Sequence, residues 1–303
     1  MTRSPHTLNA SHITHQTLLS LLLLLIFALR VVNLTAFPPF IDEGAHVAYS
    51  EQIEGSGPLT LAHEGRQLYY YWLLALGVND AAPLWMVRIA TVLSALPGAA
   101  AAMTLGQRFG GRGAGLFVGI LYAFSAFHLF FDRLGLSDAL SASLVLMAMA
   151  YMARARRQNP DAPDGRQKWR PYERDPVGTP FLASAGRPFS PMALHHVLVP
   201  SLLLFAAVFA KISALPYLGI PLAAFVSLRP RWKASRLLPL VFAAGGVAAY
   251  ALLLAWRGQD LFYYLRSGTT QGGASLLDTV LANALGSLAT LFAYGGILLA
   301  PLM

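Results

Sequence analysis

Apolar positions in this chain gather into long unbroken runs, with polar residues confined to the stretches between them. The runs fall near residues 18–37, 83–107, 114–131, 137–153, 194–210, 213–228, 235–256 and 279–301. Most approach or exceed the ~20 residues a helix needs to cross a bilayer. The pattern therefore predicts an all-α integral membrane protein, a polytopic bundle of about eight transmembrane helices in one membrane domain over 1–303. Residues 1–17 read as a tail, and 154–193, rich in Pro, Arg, Asp and Gly, as a flexible loop. The break at Lys211 to Pro216 reads either as a boundary or as a kink inside one segment. The loop 38–82 is long enough to be functional by itself. It carries a short aromatic run from Leu68 to Leu76, Tyr and Trp rich, which predicts a juxtamembrane helix lying at the bilayer surface.

Basic residues fall in every second loop. Arg108 and Arg112 separate the second and third runs; Arg154, Arg156, Arg157, Arg166, Lys168, Arg170 and Arg174 separate the fourth and fifth. Arg229, Arg231, Lys233 and Arg236 separate the sixth and seventh. The positive-inside tendency places these loops and the N-terminus in the cytoplasm, in a multi-pass protein of the plasma membrane. The loop with Asp42 and Glu43 and the turn from Asp132 to Asp138 then face outward. The first run is longer than a signal-peptide core and lacks a small-residue cleavage site after it, so it reads as a retained helix.

Composition changes this picture little. The formal net charge is +8, yet the basic residues lie between apolar runs, where they orient a membrane protein and do not form a nucleic-acid surface. Cysteine is absent, which excludes disulfides and thiolate metal sites. The histidines show no ligand spacing, and a divalent metal is left open as a cofactor. Gly110-Gly111-Arg112-Gly113 lacks the Gly-Lys-Ser/Thr ending of a phosphate loop and reads as a turn.

With only 12% charged residues, an adjacent acid pair at a bilayer boundary stands out. Ionised groups beside hydrocarbon are expensive, so they pair or work. Asp42, Glu43, His46, His63, Glu64, Arg66, Asp132, Arg133 and Asp138 collect on the predicted outer side. Arg30 lies toward the outer end of the first run, and Lys211 interrupts an apolar stretch. A carboxylate can take a proton from a hydroxyl, and Arg or Lys can hold a departing phosphate. Each also has a plainer reading. Asp42 and Glu43 can solvate a loop after Pro38-Pro39, Arg30 can snorkel, and Arg133 can pair with Asp132 or Asp138.

The order of these motifs resembles the GT-C glycosyltransferases that use polyprenyl-phosphate sugars, closest to protein O-mannosyltransferases and lipid A aminoarabinose transferases. Their first outer loop carries an Asp-Glu motif, similar to Asp42-Glu43 with Gly44 and Tyr49. Their Glu-Lys-Pro-Pro-Leu-Tyr-Tyr-Trp-like segment resembles Glu64-Gly65-Arg66-Gln67-Leu68-Tyr69-Tyr70-Tyr71-Trp72, with Gly65, Arg66 and Gln67 departing from it. An Arg-Leu-Pro-Ser opening resembles Arg88-Ile89-Ala90-Thr91, and an Arg-Arg-Leu-Phe-Gly-Arg turn resembles Gln107 to Arg112. The Ser-Arg-x-x-x-x-Asp turn resembles Asp132 to Asp138, and a Leu-Thr-Lys-Gly-Pro break resembles Phe209-Ala210-Lys211-Ile212-Ser213. The resemblance covers roughly residues 18–256. Relatives usually continue further, so a short subclass, a split gene or a truncation is expected.

The resemblance implies a GT-C-like bundle that transfers a sugar from a polyprenyl-phosphate donor to a lipid, glycan or protein acceptor on the extracytoplasmic face, with inversion. It implies Asp42 as general base, with Glu43 and Glu64 orienting it or the sugar. Arg66, Arg133 and Lys211 would hold the donor phosphate, with Arg88 and Arg30 as further contacts. Tyr69, Tyr70, Trp72 and Asp138 would contact donor or acceptor. Membrane lipids are expected partners and nucleic acid is not. Two other readings stay open: a transporter, and a non-catalytic remnant or partner subunit.

Overall fold

The computed structural model describes residues 6–60, 66–78, 82–154, 191–212, 214–215 and 238–260. Among them every regular element is helical: α1 (His6–Val31), α2 (Ile41–Ser56), α3 (Gln67–Ala75), α4 (Pro83–Phe124), α5 (Ala126–Phe131), α6 (Asp138–Arg154), α7 (Pro191–Ala210) and α8 (Leu238–Trp256). Glu64, most of the predicted loop 154–193, the run 279–301 and nearly all of 213–228 lie outside the described residues.

Helix α1 begins twelve residues before the predicted start at Leu18. No glycine or proline lies between His6 and Val31, so nothing in the backbone chemistry stops the helix there. It ends in a turn where Asn33 takes φ +53°, a left-handed conformation that asparagine tolerates better than most residues.

Element α4 is two helical arms meeting at Gly111, whose φ of +84° and ψ of −176° belong to a region open essentially only to glycine. The arms fold back on each other. A Cβ on Gly115 would lie 2.9 Å from the Met103 carbonyl oxygen, and one on Gly119 would lie 2.6 Å from Met103 Sδ. Residues sixteen apart on a straight helix would be about 24 Å apart, so only a hairpin allows these contacts. The turn carries Arg108 and Arg112, as the charge pattern between the second and third runs predicts.

The hairpin is the hub. Helices α1 and α6 pack on α4, α7 packs on α6, and α8 on α7. Leu22 and Ile26 of α1 close a core with Ala99, Met103 and Ala123 from both arms. Val208 and Ile212 meet Val247 and Leu254 of α8. A separate cluster joins the loop helices to the bundle: Ile53 of α2, Tyr69, Tyr70 and Leu73 of α3, and Val87 and Ala90 of α4. Hiding each large side chain of this cluster from water contributes about 1.5–3 kcal/mol.

Pro83–Phe124 and Leu238–Trp256 are long and apolar enough to cross a membrane, and shorter apolar helices run over His15–Val31, Asp138–Ala153 and Val197–Ala210. Large apolar side chains point outward, among them Leu24 at 61% exposed and Leu252 at 71%, while Arg30 and Arg88 are fully enclosed.

Candidate functional site

Helix α2 starts two residues after Pro39 and turns once per 3.6 residues, which divides its first two acids between opposite environments. Glu43, His46, Ser50 and Ile53 share the buried face. Asp42, one residue earlier and so about 100° around the helix, is exposed. It makes no hydrogen bond or ion pair among the described residues.

Glu43 is the most heavily bonded carboxylate of the site, with 1% of its surface exposed. Its Oε1 accepts from Arg88 Nε at 2.8 Å and from the Gly135 N–H at 2.7 Å. Its Oε2 accepts from Arg88 Nη2 at 2.8 Å and from the Phe40 N–H at 2.7 Å. The last bond supplies a partner for one of the donors that every helix start leaves unsatisfied. Burial by itself raises the carboxyl pKa, but the bonds from Arg88, Gly135 and Phe40 outweigh it and hold Glu43 below the usual carboxylate value.

Arg88 spends its remaining donors on the turn after α1. Nη1 donates to the carbonyls of Leu34 (2.9 Å) and Phe37 (3.0 Å), and Nη2 to Pro38 (3.0 Å). A guanidinium has five N–H donors, and all five are used. The expected contact between Arg88 and a donor phosphate has no donor left to make it. Arg30 is likewise enclosed. Its Nε bonds Asp132 Oδ2 at 2.9 Å, Nη1 donates to Ile26 O, Nη2 donates to Tyr122 O, and its plane lies over the Tyr122 ring. In place of a phosphate contact, it joins α1 to the start of the α5–α6 turn.

Arg133 differs. Its Nη2 donates to the carbonyls of Val32 and Asn33, each at 2.7 Å, at the C-terminal end of α1 where cations are favoured. Its guanidinium stands over the Phe37 ring at 5.6 Å. Its Nε is buried without a hydrogen-bond partner, and its Nη1 is likewise uncommitted among the described residues. Partial burial and then the neighbouring charge of Arg88 lower its pKa from the ordinary value, both effects that a bound anion would offset.

The helix predicted at the bilayer surface is α3, and it is packed more tightly than its aromatic run implies. Tyr69 and Tyr70 are fully buried, so neither presents a ring to a ligand at the surface. The Tyr69 hydroxyl meets Thr91 Oγ1 at 3.2 Å, and its ring stands edge-on to His46 at 5.3 Å. Burial pushes the Tyr69 hydroxyl pKa up; the Glu43 and Asp138 carboxylates add to this, while the Thr91 bond and Arg66 oppose it. Tyr69 thus feels the charges of Glu43, Asp138 and Arg66 together. Trp72 keeps 36% of its surface and donates from Nε1 to Ala90 O at 3.3 Å. Arg66 lies half-buried at the start of α3, with Nη1 3.4 Å from His46 Nε2. Lys211 closes on Asp138 at 2.6 Å, bridging the end of α7 to the start of α6.

Glu43, Arg88 and Gly135 thus converge on one node, with Asp42 adjacent in sequence and Arg133 two residues before Gly135. Arg30 with Asp132, and Lys211 with Asp138, form separate links. The residue types alone did not reveal the roles of Gly135, Thr91 and His46. The spacing of 43, 46, 50 and 53 was the available signal for His46. Among the described residues no group of three or more histidine or carboxylate side chains is placed to hold a metal ion. Compared with protein-family models, with curated proteins and with solved structures, the chain matches none.

Proposed function

We propose that this chain is a multi-pass membrane glycosyltransferase of GT-C type, which moves a sugar from a polyprenyl-phosphate donor to an acceptor hydroxyl on the extracytoplasmic face. The observation that carries the proposal is the contrast between two neighbouring acids. Glu43 is locked by four hydrogen bonds, and Asp42 beside it is exposed and unengaged. A carboxylate fixed in place by its neighbour yet free to accept a proton suits a general base. The inversion of burial, with leucines outside and arginines inside, supports a lipid environment for the helices.

In this reading Asp42 takes the proton of the acceptor hydroxyl as its oxygen attacks the anomeric carbon. The bond from that carbon to the phosphate oxygen breaks, and polyprenyl phosphate leaves with the electron pair. One in-line displacement inverts the anomeric centre. The leaving group is a weak base and needs no general acid. Glu43 and Arg88 position Asp42 and do not touch the substrate. Arg133 holds the phosphate through Nη1, since its Nη2 is committed to carbonyls and its Nε is buried, with Arg66 as the second cation. Trp72 is the aromatic contact left at the surface.

The test is transfer of a labelled sugar from polyprenyl phosphate by the purified chain in nanodiscs. Asp42→Asn should lower turnover about a hundredfold or more while sparing donor binding, because a general base acts in the transition state. Arg133→Ala should weaken donor binding together with rate. Near-parental turnover by Asp42→Asn would refute the assignment of the base, and absence of transfer by the parent chain would refute the enzyme.

A further inference from the structure

The run 114–131 reads in sequence as one apolar span, but the structure breaks it. Ser125 takes φ −62° and ψ +118°, and its hydroxyl accepts the His128 N–H at 3.4 Å, ending one helix and capping the next. The six-residue α5 that follows carries an aromatic cluster. Phe127 and Phe131 lie 4.5 Å apart, Phe130 and Phe131 5.2 Å, and Phe130 meets Phe37 edge-on at 5.9 Å. These rings touch one another and are still exposed: Phe127 47%, Phe130 46%, Phe37 44%. Arg133 stands over Phe37 at the rim of the patch, with its Nη1 making no hydrogen bond among the described residues.

We infer that α5 and Phe37 form an interfacial anchor seated at the boundary between acyl chains and headgroups, which holds Arg133 at the level of the lipid phosphates. This rests on the membrane reading above and deepens it by assigning the site a depth. Three observations favour a phospholipid surface as the occupant. The patch continues the exposed apolar face of the second α4 arm, through Phe117, Ile120, Leu121 and Phe124. Its rim carries a cation whose Nη1 is uncommitted, complementary to phosphate and not to hydrocarbon. Its depth also fits. From the Arg112 turn to Phe124 the arm rises roughly 18 Å, against a hydrocarbon core of ~30 Å. Where α5 continues that axis, its rings fall in the outermost third of the bilayer. An amphipathic segment in this zone embeds its apolar face about 5–10 Å below the headgroups. The turn after α5 supplies both Arg133 and the Gly135 N–H to Glu43, so the anchor fixes the depth of the node as well.

The chain has no cysteine, so single nitroxide labels can be introduced at chosen positions of the full protein in phosphatidylethanolamine–phosphatidylglycerol vesicles. The measurement is collision of the label with oxygen, which concentrates in hydrocarbon, against a water-soluble nickel chelate. Ala249→Cys, on the exposed face near the middle of α8, reports mid-bilayer, and Gly44→Cys, with open space around its Cβ, reports water. Labels at Phe130→Cys and Phe131→Cys should give an oxygen-to-nickel ratio between these two, several-fold from each. A ratio equal to that at 249 would make α5 part of a membrane crossing, and one equal to that at 44 would place it in water. Shielding from both reagents would mean that protein, another segment or a second copy, covers the patch. Each of these three results overturns the anchor. A water-like ratio at 249 itself would instead overturn the membrane reading.

Discussion

Replacing Arg88 with methionine tests the node that positions Asp42. Methionine keeps most of the side-chain volume and none of the five hydrogen bonds that Arg88 makes to Glu43, Leu34, Phe37 and Pro38. It leaves a carboxylate at 1% exposure with only two backbone N–H partners. Removing one partner of a buried ion pair destabilises by about 3–5 kcal/mol, because the other charge stays uncompensated. In a chain of this size that corresponds to a fall on the order of 10 °C in Tm. Arg88→Lys should lose about 2 kcal/mol: an ammonium supplies three donors without the planar fork that spans both Glu43 oxygens. Adding Glu43→Gln to Arg88→Met should recover part of the loss, since it removes the stranded charge. The assay is reversible unfolding in detergent mixtures followed by tryptophan fluorescence, with membrane insertion checked first. A methionine variant within about 0.5 kcal/mol of the parent, or a double variant that is merely additive, would show that the pair frames nothing.

Glu43 also sets a pH dependence. Its folded pKa lies below the ordinary 4.5, so its stabilisation is whole above pH 4.5 and is lost as pH falls through the depressed value. A Glu43→Gln variant should show a shallower loss of Tm on that acid side. Gly111→Ala should destabilise by about 1–3 kcal/mol through its φ of +84°. Gly113→Ala, whose added methyl meets nothing within 4 Å, should gain up to about 1 kcal/mol; unfolding of the two variants reads both signs. Lys211→Met breaks only a partly exposed pair with Asp138, so unfolding should shift by under about 1 kcal/mol. Its donor affinity should be unchanged; weakened binding would mean that Lys211 turns from Asp138 to the phosphate.

What the sequence made legible was local. The described runs other than 114–131 gave helices, and the basic glycine turn gave the hairpin, because both signals lie within about one helical turn of where they act. The Asp42-Glu43 pair was visible as an anomaly of charge beside apolar runs. How the two acids divide their work was not, since it depends on Arg88 and Gly135, 45 and 92 residues away. For the same reason Arg30 and Arg88 read as free cations: nothing local says that Asp132 and the carbonyls after α1 absorb them. Tyr69 and Tyr70 read as surface aromatics because a nine-residue helix shows its period poorly, and Thr91 and His46, which enclose Tyr69, come from other helices.

The enclosed node also provides a way to find kin of this chain. An Asp-Glu dipeptide is too common to identify anything. The node requires a glutamate immediately after the exposed aspartate, since an aspartate at 43 would be one methylene, about 1.5 Å, too short to reach arginine and both backbone donors together. It requires an arginine in the second turn of the next long helix. It further requires a glycine at 135, where a Cβ would sit 2.3 Å from Val87 Cγ1. Glutamate, arginine and glycine at those long intervals make a fingerprint that drift in loops and at exposed apolar positions leaves intact. Two chains that share it would share this corner of the fold even where their contiguous motifs have diverged.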